Sequence, residues 1–208
     1  SMAIGELHQN QIIHKDINPS NVIWNAGEKN LKITGLGISS FIPKERMGME
    51  VFNAESLEGT LAYIAPAQTG RISRSTDYRS DFYSIGITLY ELLTRQVPFY
   101  SSSPLEIIHA HIAKIPPSPA SLSFKIPEAV SSIIMQLLEK NAEDRYASAY
   151  GIEADLRKCL DQLQLNNKII PFLLKKQDVP IRLEIPEKFY GREDEVEKLI
   201  KTLEAVVN

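Results

Sequence analysis

Between Ser80 and Leu163 apolar residues return at helical spacing in four successive runs, which commits this half of the chain to packed helices. In "SDFYSIGITLYELLT", Phe82, Ile85, Leu89 and Leu92 stand at i, i+3, i+7 and i+10, and Pro98 stops the run. Gly86 lies inside it. Glycine costs about 1 kcal/mol against alanine in a helix, so a close backbone approach is expected there. "SSPLEIIHAHIAKIPP" starts with Ser103 as N-cap and Pro104 at the first helical position, and ends at Pro116. "IPEAVSSIIMQLLEKN" repeats through Val130, Ile133, Ile134, Leu137 and Leu138, with Asn141 suited to its C-terminal cap. "SAYGIEADLRKCLDQL" repeats through Ile152, Leu156, Cys159, Leu160 and Leu163, and Glu153 and Arg157 form an i, i+4 pair.

The front of the chain is different. Ile4, Leu7 and His8 share a helical face in "SMAIGELHQN", so the chain is expected to begin within the last turns of a helix. Ser1-Met2 reads as the remnant of a cleaved tag. "QIIHKDINPSN" is a polar loop broken by Pro19 and two asparagines. "VIW" and "LKIT" then flank "NAGEKN", the pattern of a small hairpin. From Gly35 to about Ala65 no period is sustained, and a long surface segment is expected. After Leu165, "NNKIIPFLLKKQDVPIRLEIPEK" carries three prolines and no period, so residues 165–188 read as a linker or a wrapping arm. Residues 189–208 read as one amphipathic helix through Val196, Leu199, Ile200, Leu203 and Val206.

Composition narrows the partners. Of the 208 residues 43% are hydrophobic and 24% charged, enough for a packed core. A formal net charge of -3 gives no basic field for nucleic acid or a membrane surface. No apolar run approaches the roughly 18 residues of a membrane span. Cys159 is the single cysteine, which excludes an intrachain disulfide and a cysteine zinc cluster. One thiol and no signal peptide fit a reducing cytosol, so a cytoplasmic location is expected. His8, His109 and His111 are expected in core or surface roles rather than as metal ligands, and Trp24 and Tyr63 as core or segment anchors.

"HKDINPSN" matches H-[RK]-D-x-x-x-x-N, and three further landmarks follow in order: "GTLAYIAPAQ", "SDFYSIG" and "LLEKNAEDRYAS". Together they resemble the C-terminal lobe of a Ser/Thr protein kinase, over residues 3–164. The resemblance implies a mainly α fold with a small β-hairpin at the catalytic loop, and an N-terminal lobe absent from this chain. It implies Asp16 as the base for a substrate hydroxyl and Asn21 as a metal ligand, with Mg²⁺ and ATP as cofactors. His14 and Asp81 would support the loop, Arg145 would pair with the acid of an Ala-Pro-Glu motif, and Thr60 would line the substrate side. "IIHKDINPSN", "GTLAYIAPAQTGR" and "FYGREDEVEKLI" further resemble large bacterial signalling proteins that join a kinase-like module to a P-loop ATPase domain, sensors and a histidine kinase. Residues 189–208 would then open the ATPase domain. The missing lobe, that ATPase domain and a protein substrate or regulatory partner are the partners implied, and uncovered apolar surface favours self-association.

The chain also departs from that pattern. Gly35-Leu36-Gly37 stands where the family has Asp-Phe-Gly, so Gly35 replaces the Mg²⁺-binding aspartate. A third glycine at the G-x-G-x-x-G spacing is lacking, so this is no phosphate cradle. Ala67 replaces the glutamate expected to pair with Arg145. An unpaired buried guanidinium costs roughly 3–5 kcal/mol, so Arg145 should find another acid, stay hydrated or leave the segment from Ile38 to Glu58 mobile. Asn18 stands for a lysine, as it often does in the proteins resembled, and Lys15 stands for an arginine, whose fork to a phosphorylated residue an ammonium cannot make, so control by loop phosphorylation is not expected. The expectation is a kinase-family transferase fragment inactive in this form, binding no nucleotide or metal tightly. The alternative is a pseudokinase scaffold or docking module.

Overall fold

The computed structural model describes residues 2–28, 30–41, 60–70 and 76–180. Among the described residues six helices carry the fold: α1 (Met2–Gln9), α2 (Arg79–Thr94), α3 (Pro104–Ala113), the single-turn α4 (Pro119–Leu122), α5 (Glu128–Leu137) and α6 (Ala149–Asn166). Four short strands pair two by two, β1 (Ile12–Ile13) with β4 (Ser40–Phe41) and β2 (Val22–Asn25) with β3 (Asn30–Ile33). The second pair is the expected antiparallel hairpin, with Val22 opposite Ile33 and Trp24 opposite Leu31. Asn25 Oδ1 closes its turn by accepting from the N–H groups of Gly27 and Glu28. The first pair joins segments 27 residues apart and has no signature in the sequence.

Helix α2 runs between the two apolar clusters of the fold. Nine of its residues are buried, among them Asp81, Ser84 and Thr88, so no single apolar face describes it. Phe82 is fully buried, Ile85 and Leu89 are half-buried, and Leu92, placed on the core face by its spacing, is 54% exposed. The inward polar groups are satisfied locally: Thr88 donates to the Ser84 carbonyl and Ser84 to the Tyr63 carbonyl. The helix ends at Arg95 in the left-handed region, before Pro98. A Cβ at Gly86 would stand 2.8 Å from Leu137 Cβ and 2.9 Å from Leu138 Cδ2, so the glycine does permit the close α2–α5 approach.

Two apolar clusters flank α2. One gathers Ile4, Ile13, Phe82, Ile133, Tyr146 and Ile152 from α1, β1, α2, α5 and α6, and the other packs Tyr83, Ile87 and Tyr90 on Ile134 and Leu138. Ser103 precedes α3 as expected, but its side chain makes no cap hydrogen bond. Asn141 does not cap α5, which ends at Leu138; it opens the turn Ala142–Asp144 and donates to Asp144. The Glu153–Arg157 pair forms at 2.9 Å, whereas Leu160 and Leu163 lie exposed beyond the core. Trp24 is 59% exposed and lies outside both core clusters of the described residues. With Ile23, Leu31, Leu36 and Phe41 it forms the exposed apolar population of the hairpin region.

Residues 165–188 are not a free linker over their described part. Leu165 and Asn166 still belong to α6, and residues 167–180 form an arm packed against the helices. Ile169, Phe172 and Leu174 pack on the first cluster, and the Lys158 ammonium lies 4.1 Å from the Phe172 ring centroid. Lys175 donates its N–H to Asp155 (2.9 Å) and its ammonium to the carbonyls of Asp144 and Arg145. Asp178 accepts from the Ala147 N–H (2.7 Å) and the Ser148 hydroxyl (2.9 Å). Gly151 makes room for it, since a Cβ there would stand 2.3 Å from the Asp178 carboxylate. Prolines exclude a helix from this stretch without excluding docking. The expected helix within 189–208, and residues 42–58 of the segment expected to be mobile, lie outside the described residues.

Candidate functional site

The loop between β1 and β2 contains a strained residue. Lys15 has φ +70°, a left-handed conformation unfavourable for a side chain with a Cβ. Such residues cost of order 1–3 kcal/mol and persist where the surroundings hold them. Asp81, fully buried in the first turn of α2, does so. It accepts the N–H of His14 at 2.9 Å and that of Lys15 at 2.8 Å, and His8 Nε2 donates to it at 2.8 Å. Its carboxylate therefore holds the loop backbone. His8 sits between Tyr78 and Phe82, with ring centroids 5.3 Å from each, and is a core partner of Asp81 that spacing alone did not single out.

His14 is buried and spans the loop. Its Nε2 donates to the Thr34 carbonyl at 2.8 Å and its Nδ1 accepts the Asp16 N–H at 3.2 Å. One neutral tautomer meets both bonds. Asp16 is half-buried beside three donors. The Thr60 N–H (2.9 Å) and Asn18 Nδ2 (3.1 Å) reach Oδ1, and Asn21 Nδ2 (3.0 Å) reaches Oδ2. Asn21 also donates to the Asp16 carbonyl at 2.8 Å. Asn18 caps the turn Pro19–Asn21 by accepting the Ser20 N–H, and its Nδ2 lies 3.4 Å from the Thr60 hydroxyl. The structure thus brings Asp16, Asn21, Thr60, His14 and Asp81 together.

The metal side is different. Gly35 has φ +84°, and a Cβ on it would lie 2.5 Å from Asn21 Cγ and Oδ1. The Asn21 amide fills the place where a side chain at 35 would begin. Mg²⁺ favours carboxylate oxygens in octahedral geometry, and position 35 supplies none. Among the described residues no three His, Cys, Asp or Glu side chains gather as a metal site. The residues present do not fit the Mg²⁺ of a phosphoryl-transfer centre. His109 is exposed, and His111 is buried with Nδ1 3.0 Å from the Tyr83 hydroxyl. Burial, helped by the Lys140 charge and opposed by the Leu61 and Ala62 carbonyls, lowers the His111 pKa to about 4.

Arg145 neither finds an acid among the described residues nor stays hydrated. It is 1% exposed, and no carboxylate among the described residues lies in ion-pair contact with it. Instead Nε donates to the Glu139 carbonyl (2.7 Å), one terminal nitrogen to that of Arg79 (3.0 Å) and the other to that of Lys140 (3.0 Å). The Tyr83 ring lies 4.9 Å beneath the guanidinium. Burial lowers its pKa to about 10, with Tyr83 and Asp77 opposing. Backbone acceptors and a π face replace the missing acid. Tyr63 anchors the segment after Thr60 by donating to Glu91 at 2.5 Å. Gln68, which no sequence signal marked, donates to the Lys15 carbonyl at 2.8 Å.

Comparison with known proteins agrees with this arrangement. The Protein kinase domain family model matches residues 1–156. The chain is 36% identical over 167 residues to hybrid signal transduction histidine kinase G of Dictyostelium discoideum, covering 71% of this chain and 5% of that protein. It is 34% identical over 166 residues to the serine/threonine-protein kinase PrkC of Bacillus subtilis, covering 80% of this chain and 24% of the relative. Serine/threonine-protein kinase PknB of Mycobacterium tuberculosis is 34% identical over 154 residues, 74% of this chain and 24% of that protein. The chain spans less than a quarter of the length of these relatives. A buried aspartate holding a strained catalytic-type loop and a family match over most of the chain lead to one conclusion: this chain belongs to the protein kinase domain family.

Proposed function

We propose that the chain is the C-terminal lobe of a Ser/Thr kinase-type signalling domain in which the catalytic loop survives as an assembled support and phosphoryl transfer is lost. The observation that carries this reading is Gly35, whose missing side chain is replaced in space by the Asn21 amide. Metal stabilisation of a transferring phosphoryl group contributes several kcal/mol. At about 1.4 kcal/mol per tenfold, its loss lowers the rate by on the order of a thousandfold or more. Asp16 would remain the proton acceptor by position and Thr60 would mark the substrate side, while Asn21 alone makes a weak metal ligand. The test is transfer of labelled phosphate from ATP to a protein substrate by the purified chain, with Asp16→Asn as control. The expected result is no Asp16-dependent transfer; robust Asp16-dependent transfer would overturn the reading. Calorimetry should likewise show no micromolar binding of Mg·ATP.

A second reading, a pseudokinase scaffold within a larger sensor protein, is supported by two observations. The relative named as a hybrid signal transduction histidine kinase matches over only 5% of its own length. The arm from 167 to 180 is tied to the lobe by Lys175 and Asp178, which suits a module relaying between neighbours.

A further inference from the structure

Lys15 is held from both sides. Its N–H is taken by Asp81 at 2.8 Å, and its carbonyl receives Gln68 Nε2, also at 2.8 Å. That carbonyl belongs to the peptide whose N–H is contributed by Asp16 and donated to His14 Nδ1. Whatever fixes the Lys15 carbonyl therefore fixes the plane from which the Asp16 side chain departs. Gln68 is itself fixed, since its Oε1 accepts the Ala65 N–H at 3.0 Å and closes the turn Pro66–Thr69. One amide thus spans two segments 53 residues apart, using its acceptor on its own turn and its donor on the loop.

We propose that Gln68 is the positioning residue that locks the Lys15–Asp16 peptide to the Pro66–Thr69 turn, taking on the tie between turn and lobe that Ala67 does not make. The consequence for chemistry rests on the reading of Asp16 as the proton-accepting carboxylate; the geometry does not. Asp81 restrains the N-terminal side of the strained residue and Gln68 the C-terminal side. With only one of them Lys15 can relax out of its left-handed conformation.

The two ends of the amide allow a test that separates positioning from general support. Gln68→Glu retains an acceptor for the Ala65 N–H but has no donor for the Lys15 carbonyl. Gln68→Met keeps the volume and loses both bonds. Amide hydrogen exchange on the whole chain, read residue by residue by NMR, is the measurement. In Gln68→Glu the Lys15 and Asp16 amides should exchange about tenfold faster, while Ala65 and the α5 amides of Ile133 and Ile134 keep their protection. In Gln68→Met, Ala65 should join the faster group. Unchanged exchange at Lys15 and Asp16 in both variants would overturn the proposal. So would uniform acceleration that includes α5. Should Gln68→Glu fail to fold, Gln68→Met decides by the same criterion. Phosphate transfer plays no part in the readout, so activity in the chain would overturn the functional reading and leave this one standing.

Discussion

The two ends of one loop system have fared differently. Around Asp16 the polar groups are paired: three donors reach the carboxylate, His14 bridges to Thr34, and buried Asp81 holds the strained Lys15. Around Gly35 there is a left-handed glycine, with Asn21 filling the space of the absent side chain. The difference teaches that support and chemistry answer to separate demands. Asp81 and His14 satisfy buried backbone groups, so losing either damages the fold itself. A carboxylate at position 35 would serve only a metal ion, and its loss leaves no buried group unpaired.

The largest effect should come from breaking the supported end. Asp81→Ala strands two backbone N–H groups and His8 inside the lobe, and should destabilise by about 3 kcal/mol or more in urea unfolding. A loss below about 1 kcal/mol would mean that the loop holds itself. Next comes acid. His111 packs beside the Leu61–Tyr63 turn that follows Thr60, and its folded pKa is about 4 against an ordinary 6.5. The unfolded chain therefore binds the proton more readily. Stability is intact above pH 6.5 and falls as pH drops toward 4, by up to about 1.4 kcal/mol per pH unit. Denaturation across that window should show the slope, and His111→Gln should flatten it. The smallest effect belongs to the emptied end. Gly35→Ala should cost about 1–2 kcal/mol, from the left-handed backbone and the crowding of Asn21. In an Asn21→Ala background the crowding part should vanish; equal losses in both backgrounds would show that Asn21 does not occupy that space.

How much of this could be read from the residues depended on what fixed each feature. The loop, its hairpin and the supporting His14 and Asp81 were legible because a short motif sets their backbone path. The helices were legible from spacing, yet which α2 residues lie inside was not. Spacing marks one face, and α2 is buried on several, so Asp81 and Thr88 point inward while Leu92 faces water. The partners of Arg145 were not legible, because an arginine held on carbonyls leaves no acidic partner to find. The choice between linker and wrapping arm was not legible, because prolines signal only the absence of a helix; Lys175 and Asp178 find their partners through tertiary approach. Gln68 escaped for the same reason, its acceptor being a backbone carbonyl 53 residues away.

The central claim is that a supported catalytic-type loop lacks the metal-holding half of its chemistry. Paramagnetic titration tests it most directly: amide NMR signals of the chain are followed while Mn²⁺ is added to millimolar levels. The account predicts no selective broadening of the Asp16, Asn21 and Gly35 signals. Broadening of those three ahead of the rest of the chain would contradict it.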